Sequence, residues 1–176
     1  MEQMTAGVRG LLKQLEDMVP VNLTMHSEEE RILISEPEEW PEIEFEVTLD
    51  SGSVVHVCSN EDTLGYLLEP SAGSKRNQHL MMGDGGKIPN QGQKQLRLGS
   101  PEQNSDIKSI FQIAAVTRPL MSVGKICDEG LEVAFNAKSA TVRDRTGREI
   151  CRFDRDPSGL YVAKLKLRAP GFGRPE

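Results

Sequence analysis

Aromatic side chains are scarce in this sequence, with five Phe, two Tyr and one Trp among 176 residues. Its Lys and Arg are not interleaved with rings, and the chain as a whole is acidic at −6, so nucleic-acid binding is disfavoured. Cysteine is equally sparse. Cys58, Cys127 and Cys151 are odd in number and far apart, which argues for reduced thiols in a cytoplasmic compartment and against a disulfide framework. Neither a CxxC pair nor an HxxxH helix face is present, so no metal is expected. His56-Val57-Cys58 comes nearest, with both outer side chains on strand positions in or near a core. No GxxxxGK[ST] or GxGxxG loop suggests a cofactor, and none is expected. No GxSxG elbow supports a serine hydrolase, and Cys127 lacks a cysteine-protease context.

Long hydrophobic runs are missing too, so no transmembrane span and no membrane partner is expected. The first residues interleave Arg9, Lys13, Glu16 and Asp17 with leucines, unlike the apolar core of a signal peptide. The formal glycosylation acceptor Asn22-Leu23-Thr24 therefore carries little weight. No internal repeat is evident.

Against these absences stand 16 Gly, 10 Pro and 27% charged residues, a composition suited to one loop-rich β domain with extensions. Charge is divided along the chain. Residues 1–62 carry a balance of −12 and residues 63–176 a balance of +6, which is most simply an uneven surface.

The most informative stretch runs from Glu44 to Cys58. Phe45, Val47 and Leu49 alternate, Asp50-Ser51-Gly52 interrupts, and Val55 and Val57 resume the alternation. The pattern predicts strand, tight loop, strand, with Asp50 delivered to the end of a buried strand. Gly52 relaxes the backbone there, and the Ser51 hydroxyl is placed to lock the loop. Read alone, the same residues also describe a β-turn whose Asp and Ser bond their own backbone.

Val8, Leu11, Leu12, Leu15, Met18 and Val19 predict an N-terminal amphipathic helix ended by Pro20. An acidic linker follows, with a short strand at 31–35. Residues 60–70 read as a loop or short helix and 71–77 as a polar connector. His79 to Ile88 then predicts a hairpin, turned by Gly83-Asp84-Gly85-Gly86. Leu96 and Leu98 continue the alternation, and 98–106 reads as a turn-rich break. A strand over 107–116 precedes Pro119-Leu120-Met121-Ser122-Val123-Gly124-Lys125-Ile126, and a meander of short strands fills 131–167.

An apolar run, Asp-Ser-Gly, then a second apolar run resembles the active-site loop of retropepsin-like aspartic proteases. The copia-type retrotransposon version is closest, since Leu49-Asp50-Ser51-Gly52 is followed shortly by His56. The hairpin at 79–88 resembles the family's glycine-tipped flap. Leu120-Met121-Ser122-Val123-Gly124-Lys125-Ile126 is similar to its second signature, with Ser122 where retroviral enzymes prefer Gly, and Leu160-Tyr161-Val162 is similar to the end of the copia-type meander.

The resemblance implies a mainly β, single-lobed, closed barrel over 43–168 with a short helix in its C-terminal half. Residues 1–42 form an N-terminal helix and acidic linker before it, and residues 169–176 a flexible tail after it. It also implies an aspartic endopeptidase that processes a retrotransposon-like polyprotein. Asp50, Ser51 and Gly52 would be its catalytic loop, and Met82, Gly83, Asp84, Gly85 and Gly86 would close over an extended peptide. Only one Asp-Ser-Gly is present, so the second aspartate must come from a second copy in an isologous homodimer. The competing expectation is a catalytically inactive module of the same fold, serving dimerisation or peptide binding.

Overall fold

Phe45 and Val47 are buried while Glu44 and Glu46 are exposed, the alternation expected of a strand with one face on a core. That strand, β1 (Ile43–Asp50), opens a compact unit spanning Glu42–Gly171; the computed structural model describes residues 40–171. After it come β2 (Val57–Cys58), a 3₁₀ turn (Glu61–Thr63), α1 (Ala72–Lys75), β3 (His79–Met81) and β4 (Lys87–Pro89). β5 (Gly92–Ser100), β6 (Ser105–Ile113), β7 (Leu120–Ser122) and α2 (Val123–Asp128) follow. The chain closes with β8 (Glu132–Phe135), β9 (Ser139–Arg143), β10 (Glu149–Arg155) and β11 (Tyr161–Leu167).

Six strands close a barrel in the order β1-β7-β2-β6-β5-β11 and back to β1. Closure depends on β11. It runs antiparallel to β1 from Ile43↔Leu167 to Thr48↔Val162, and its far edge meets β5 at Leu98↔Leu167. Two joints are parallel, β1 with β7 and β2 with β6. The hairpin of β5 and β6 stays in register from Gly92↔Ile113 to Ser100↔Ser105. Phe45, Val47, Leu96, Leu98, Phe111, Ile113, Leu165 and Leu167 are buried as its core, and Phe45 meets Phe111 edge to face at 5.7 Å. A barrel leaves no open edge among its own strands; β10, β9 and β8 extend the sheet outward from β11.

Several expectations shift in detail. The strand after Asp50 is only Val57–Cys58, because the chain spends 51–56 in a loop that leaves Val54 80% exposed. The alternation of β1 ends in three consecutive buried residues, Val47, Thr48 and Leu49, where β11 lies on one edge and β7 on the other. The break expected over 98–106 shrinks to the turn 101–104, since β5 runs on to Ser100 and β6 begins at Ser105. β6 in turn stops at Ile113, short of 116. The polar connector contains α1, capped by a box in which Ser71 and Ser74 each satisfy the other's backbone N–H.

One inward position of β5 holds a cation. Lys94 is 1% exposed, and its Nζ donates to the carbonyl O (2.9 Å) and Oγ1 (3.0 Å) of Thr63. Burial nonetheless pushes its pKa down, a shift partly opposed by Cys58 and Glu61. All three cysteines are free, and burial pushes the thiols of Cys58 and Cys151 up to about 12, leaving them inert at neutral pH. Among the described residues no helix is long and apolar enough to cross a membrane. The N-terminal helix and the strand at 31–35 fall outside the described residues.

Candidate functional site

Asp50 is the last residue of β1 and lies opposite Ser122 in the parallel register with β7. Parallel pairing carries both strands in the same direction, so both chains turn away at one end of the barrel: β1 into the Asp-Ser-Gly loop and β7 into α2. Asp50 is half-buried there, and its Oδ1 accepts the Gly52 N–H at 2.8 Å. This Asx-type bond fixes the carboxylate beside its own loop while leaving Oδ2 without a hydrogen bond among the described residues.

Ser51 does not lock the loop within one chain. It is exposed, and its hydroxyl has no partner among the described residues. Ser53 and Ser122 do that work instead. Ser53 Oγ donates to the Val55 carbonyl, and Ser122 Oγ donates to the Ser53 carbonyl, each at 2.6 Å. Ser122 is fully buried and also caps α2 by accepting the Lys125 N–H at 3.2 Å.

His56 is the third member of this group. Its ring is 4% exposed, stacks on Phe111 at 5.1 Å and accepts the Ser122 N–H on Nδ1 at 2.9 Å. A backbone N–H pointed at Nδ1 requires the tautomer protonated on Nε2. Burial, with Lys125 adding to it, pushes the pKa of this imidazole down from 6.5 to about 4. His56 belonged to the Asp-Ser-Gly pattern, but nothing in the spacing disclosed which atom it engages.

The glycine hairpin forms as β3 and β4, paired from His79↔Pro89 to Met81↔Lys87. Its turn is closed by Met82 N–H to the Gly86 carbonyl (2.7 Å) and Gly85 N–H to the Met82 carbonyl (2.9 Å). Asp84 Oδ1 accepts the Gly86 N–H at 2.8 Å. Gly85 has φ +87°, a conformation that costs a side-chain-bearing residue about 1 kcal/mol or more. The hairpin's base is anchored by Asn90, which no motif singled out. Asn90 Oδ1 accepts from Ser71 Oγ and the Gly92 N–H, and its Nδ2 donates to Gln112 of β6 at 2.9 Å. No hydrogen bond among the described residues joins the hairpin, with Met82, Gly83, Asp84, Gly85 and Gly86 at its turn, to the Asp50 loop.

Asp50 and residues 82–86 also line neither of two surface grooves. One, of about 440 Å³, runs between β6 and α2 and is walled by His56, Lys125 and Glu129 among others. The other, of about 460 Å³, lies beside β10 and β11. Among the described residues no cluster of His, Cys, Asp or Glu could hold a metal ion. The chain matches no protein-family model, no curated protein and no solved structure.

Proposed function

We propose that the chain is a retropepsin-like aspartic endopeptidase, active as an isologous homodimer in which Asp50 of each copy supplies one of two catalytic carboxylates. The observation that carries this reading is the geometry of Asp50. It ends a strand of a closed barrel, its loop is pinned to β7 through Ser122, and among the described residues its carboxylate is hydrogen-bonded only by the Gly52 N–H of its own loop. A single half-buried carboxylate is a weak acid-base catalyst. Two brought together across a two-fold axis would share one proton, because both cannot ionise cheaply at close range.

The ionised carboxylate would take a proton from a bound water as it attacks the scissile carbonyl, and the protonated one would donate to the developing oxyanion. Ser51, exposed and without a hydroxyl partner among the described residues, would bond across the axis. Met81 on the hairpin, 73% exposed, and Val54 beside the loop are apolar surfaces that an extended peptide or the second copy would cover. The hairpin, tethered at Asn90 and otherwise free of the barrel at its tip, suits a flap that adds strand-like hydrogen bonds to the peptide. A retrotransposon-like polyprotein is the substrate that the sequence resemblance suggests.

The test is hydrolysis of unstructured peptides by the full chain at mildly acidic pH, with Asp50→Asn as control. Cleavage by the wild type that the variant lacks supports the reading; equal activity in the two ends it.

A further inference from the structure

We propose that His56 is the positioning residue of the Asp50 loop, its Nδ1 coupling the protonation state of one buried imidazole to the placement of the carboxylate. The inference rests on the reading of Asp50 as a reactive acid and adds a control of that site.

Ser122 is tied to the loop at three points. Its backbone lies beside Asp50 in the ladder, its hydroxyl holds the Ser53 carbonyl, and its N–H is held by His56. The segment between Asp50 and His56 is therefore stapled at its start, middle and end to one residue of β7. The single O–H of Ser122 is already donated to Ser53, so it cannot replace the N–H at His56 without releasing the loop. His56 is anchored at its backbone and packed at its ring. Its carbonyl accepts the Gln112 N–H at 2.8 Å from β6, and its ring lies on Phe111.

Gain of a proton at Nδ1 sets two N–H groups against each other in a dry site, and one of them has to move. Because the ring is held by Phe111 and β6, the Ser122 end of the contact gives way, and with it the Ser53 bond that shapes the loop. The charged residues that line the same groove as His56 are Lys125 of α2, Glu129 just after it and Lys108 of β6, and of these Lys125 acts on the ring. No carboxylate accepts a hydrogen bond from the ring among the described residues. Burial and Lys125 together keep the imidazole neutral down to about pH 4, so the staple holds through mildly acidic conditions and opens below them.

The experiment follows the Ser122 amide and the His56 ring by NMR across an acid titration of the full chain, in the wild type, Asp50→Asn and His56→Asn. In the first two, the Ser122 amide should move with the midpoint of the ring. The Asp50→Asn chain removes the nearby carboxylate as a cause. In His56→Asn, whose Oδ1 can take the Ser122 N–H but gains no proton, the movement should vanish. On peptide cleavage, His56→Leu should lose about tenfold to a hundredfold in kcat with KM little changed. His56→Asn should recover most of that loss and move the acid limb of the profile. A Ser122 amide that stays still while the ring titrates overturns the proposal, and so does wild-type kcat in His56→Leu. Should His56→Leu fail to fold, the titration and the acid limb of His56→Asn decide. If no form of the chain cleaves peptide yet the Ser122 amide follows the ring, the coupling stands and only the protease reading falls.

Discussion

Asp50 and Ser122 face each other across the parallel ladder of β1 and β7, at the end of the barrel where both strands stop. The relationship joins the acid to a fully buried hydroxyl that reaches its loop, so the two residues should fail differently when altered.

Asp50→Asn should abolish catalysis and spare the fold. The amide oxygen can still accept the Gly52 N–H, and the site is half-buried, so stability should change by no more than about 0.5–1 kcal/mol. Loss of the ionisable group should cost at least about 10²–10⁴ in kcat/KM. Steady-state kinetics beside a thermal unfolding curve checks both halves.

Ser122→Ala should cost stability as well as activity. It removes the cap of α2 and leaves the Ser53 carbonyl without its donor, two losses that together cost about 1–3 kcal/mol. Urea unfolding measures this directly. A variant as stable as the wild type would mean that the loop does not depend on this hydroxyl.

The strands β1 and β5 were legible because alternation in Phe45-Glu46-Val47 and in Leu96-Arg97-Leu98 has a period that one-sided burial produces; the order in which the strands pair was not. The Asp-Ser-Gly turn and the glycine hairpin were legible too, since glycines mark both bends, but only Gly85 of the two takes the positive φ that favours glycine; Gly52 does not. What the sequence could not convey was which residues fasten those bends. Ser53, Ser122 and Asn90 are small polar residues with no periodic signature, and their roles come from partners 19 to 69 positions away. The hydroxyl of Ser51, the more conspicuous serine, makes no hydrogen bond among the described residues. Lys94 was hidden differently: it occupies an inward slot of β5, and a lysine there reads as surface until Thr63 is found to be folded against it.

That buried lysine gives a third prediction. Thr63→Val keeps the shape but deprives the ammonium of one acceptor in a dry site, and should cost about 1–3 kcal/mol. Lys94→Met removes the charge and the need for the acceptor, and should be nearly neutral or stabilising. In the Lys94→Met background the Thr63→Val cost should shrink, a coupling that a double-mutant cycle reads out.

Stability should fall on mild acidification in a window set by His56. The unfolded imidazole takes up its proton near pH 6.5, whereas the folded one resists until about 4. Between those values the unfolded chain binds more protons, so ΔG of unfolding declines as pH drops, by about 3 kcal/mol in all, and this contribution levels off below pH 4. Asp144 and Asp156 act lower still. Hydroxyl bonds from Thr146 and Ser158 hold their carboxyls below the ordinary 3.8, so their stabilisation is present above that value and lost beneath it. Unfolding curves at several pH values should show the upper part of the slope disappear in His56→Asn while the lower part remains.

The proposed dimer supplies the most discriminating prediction, because its site would be completed only by two chains. If each catalytic centre needs Asp50 from both copies, a wild-type chain paired with an Asp50→Asn chain is dead. Mixing the two in equal amounts and allowing exchange should therefore lower activity per wild-type chain to about half, since about half of those chains would sit in mixed dimers. Specific activity of the wild type alone should also fall on dilution, as dimers dissociate by mass action, and the fall should match the monomer fraction seen by sedimentation. A chain that cleaves peptide with the same specific activity at every concentration, and is indifferent to an excess of Asp50→Asn, would carry its whole catalytic apparatus in one copy. The lone carboxylate at the end of β1 would then need a partner of another kind.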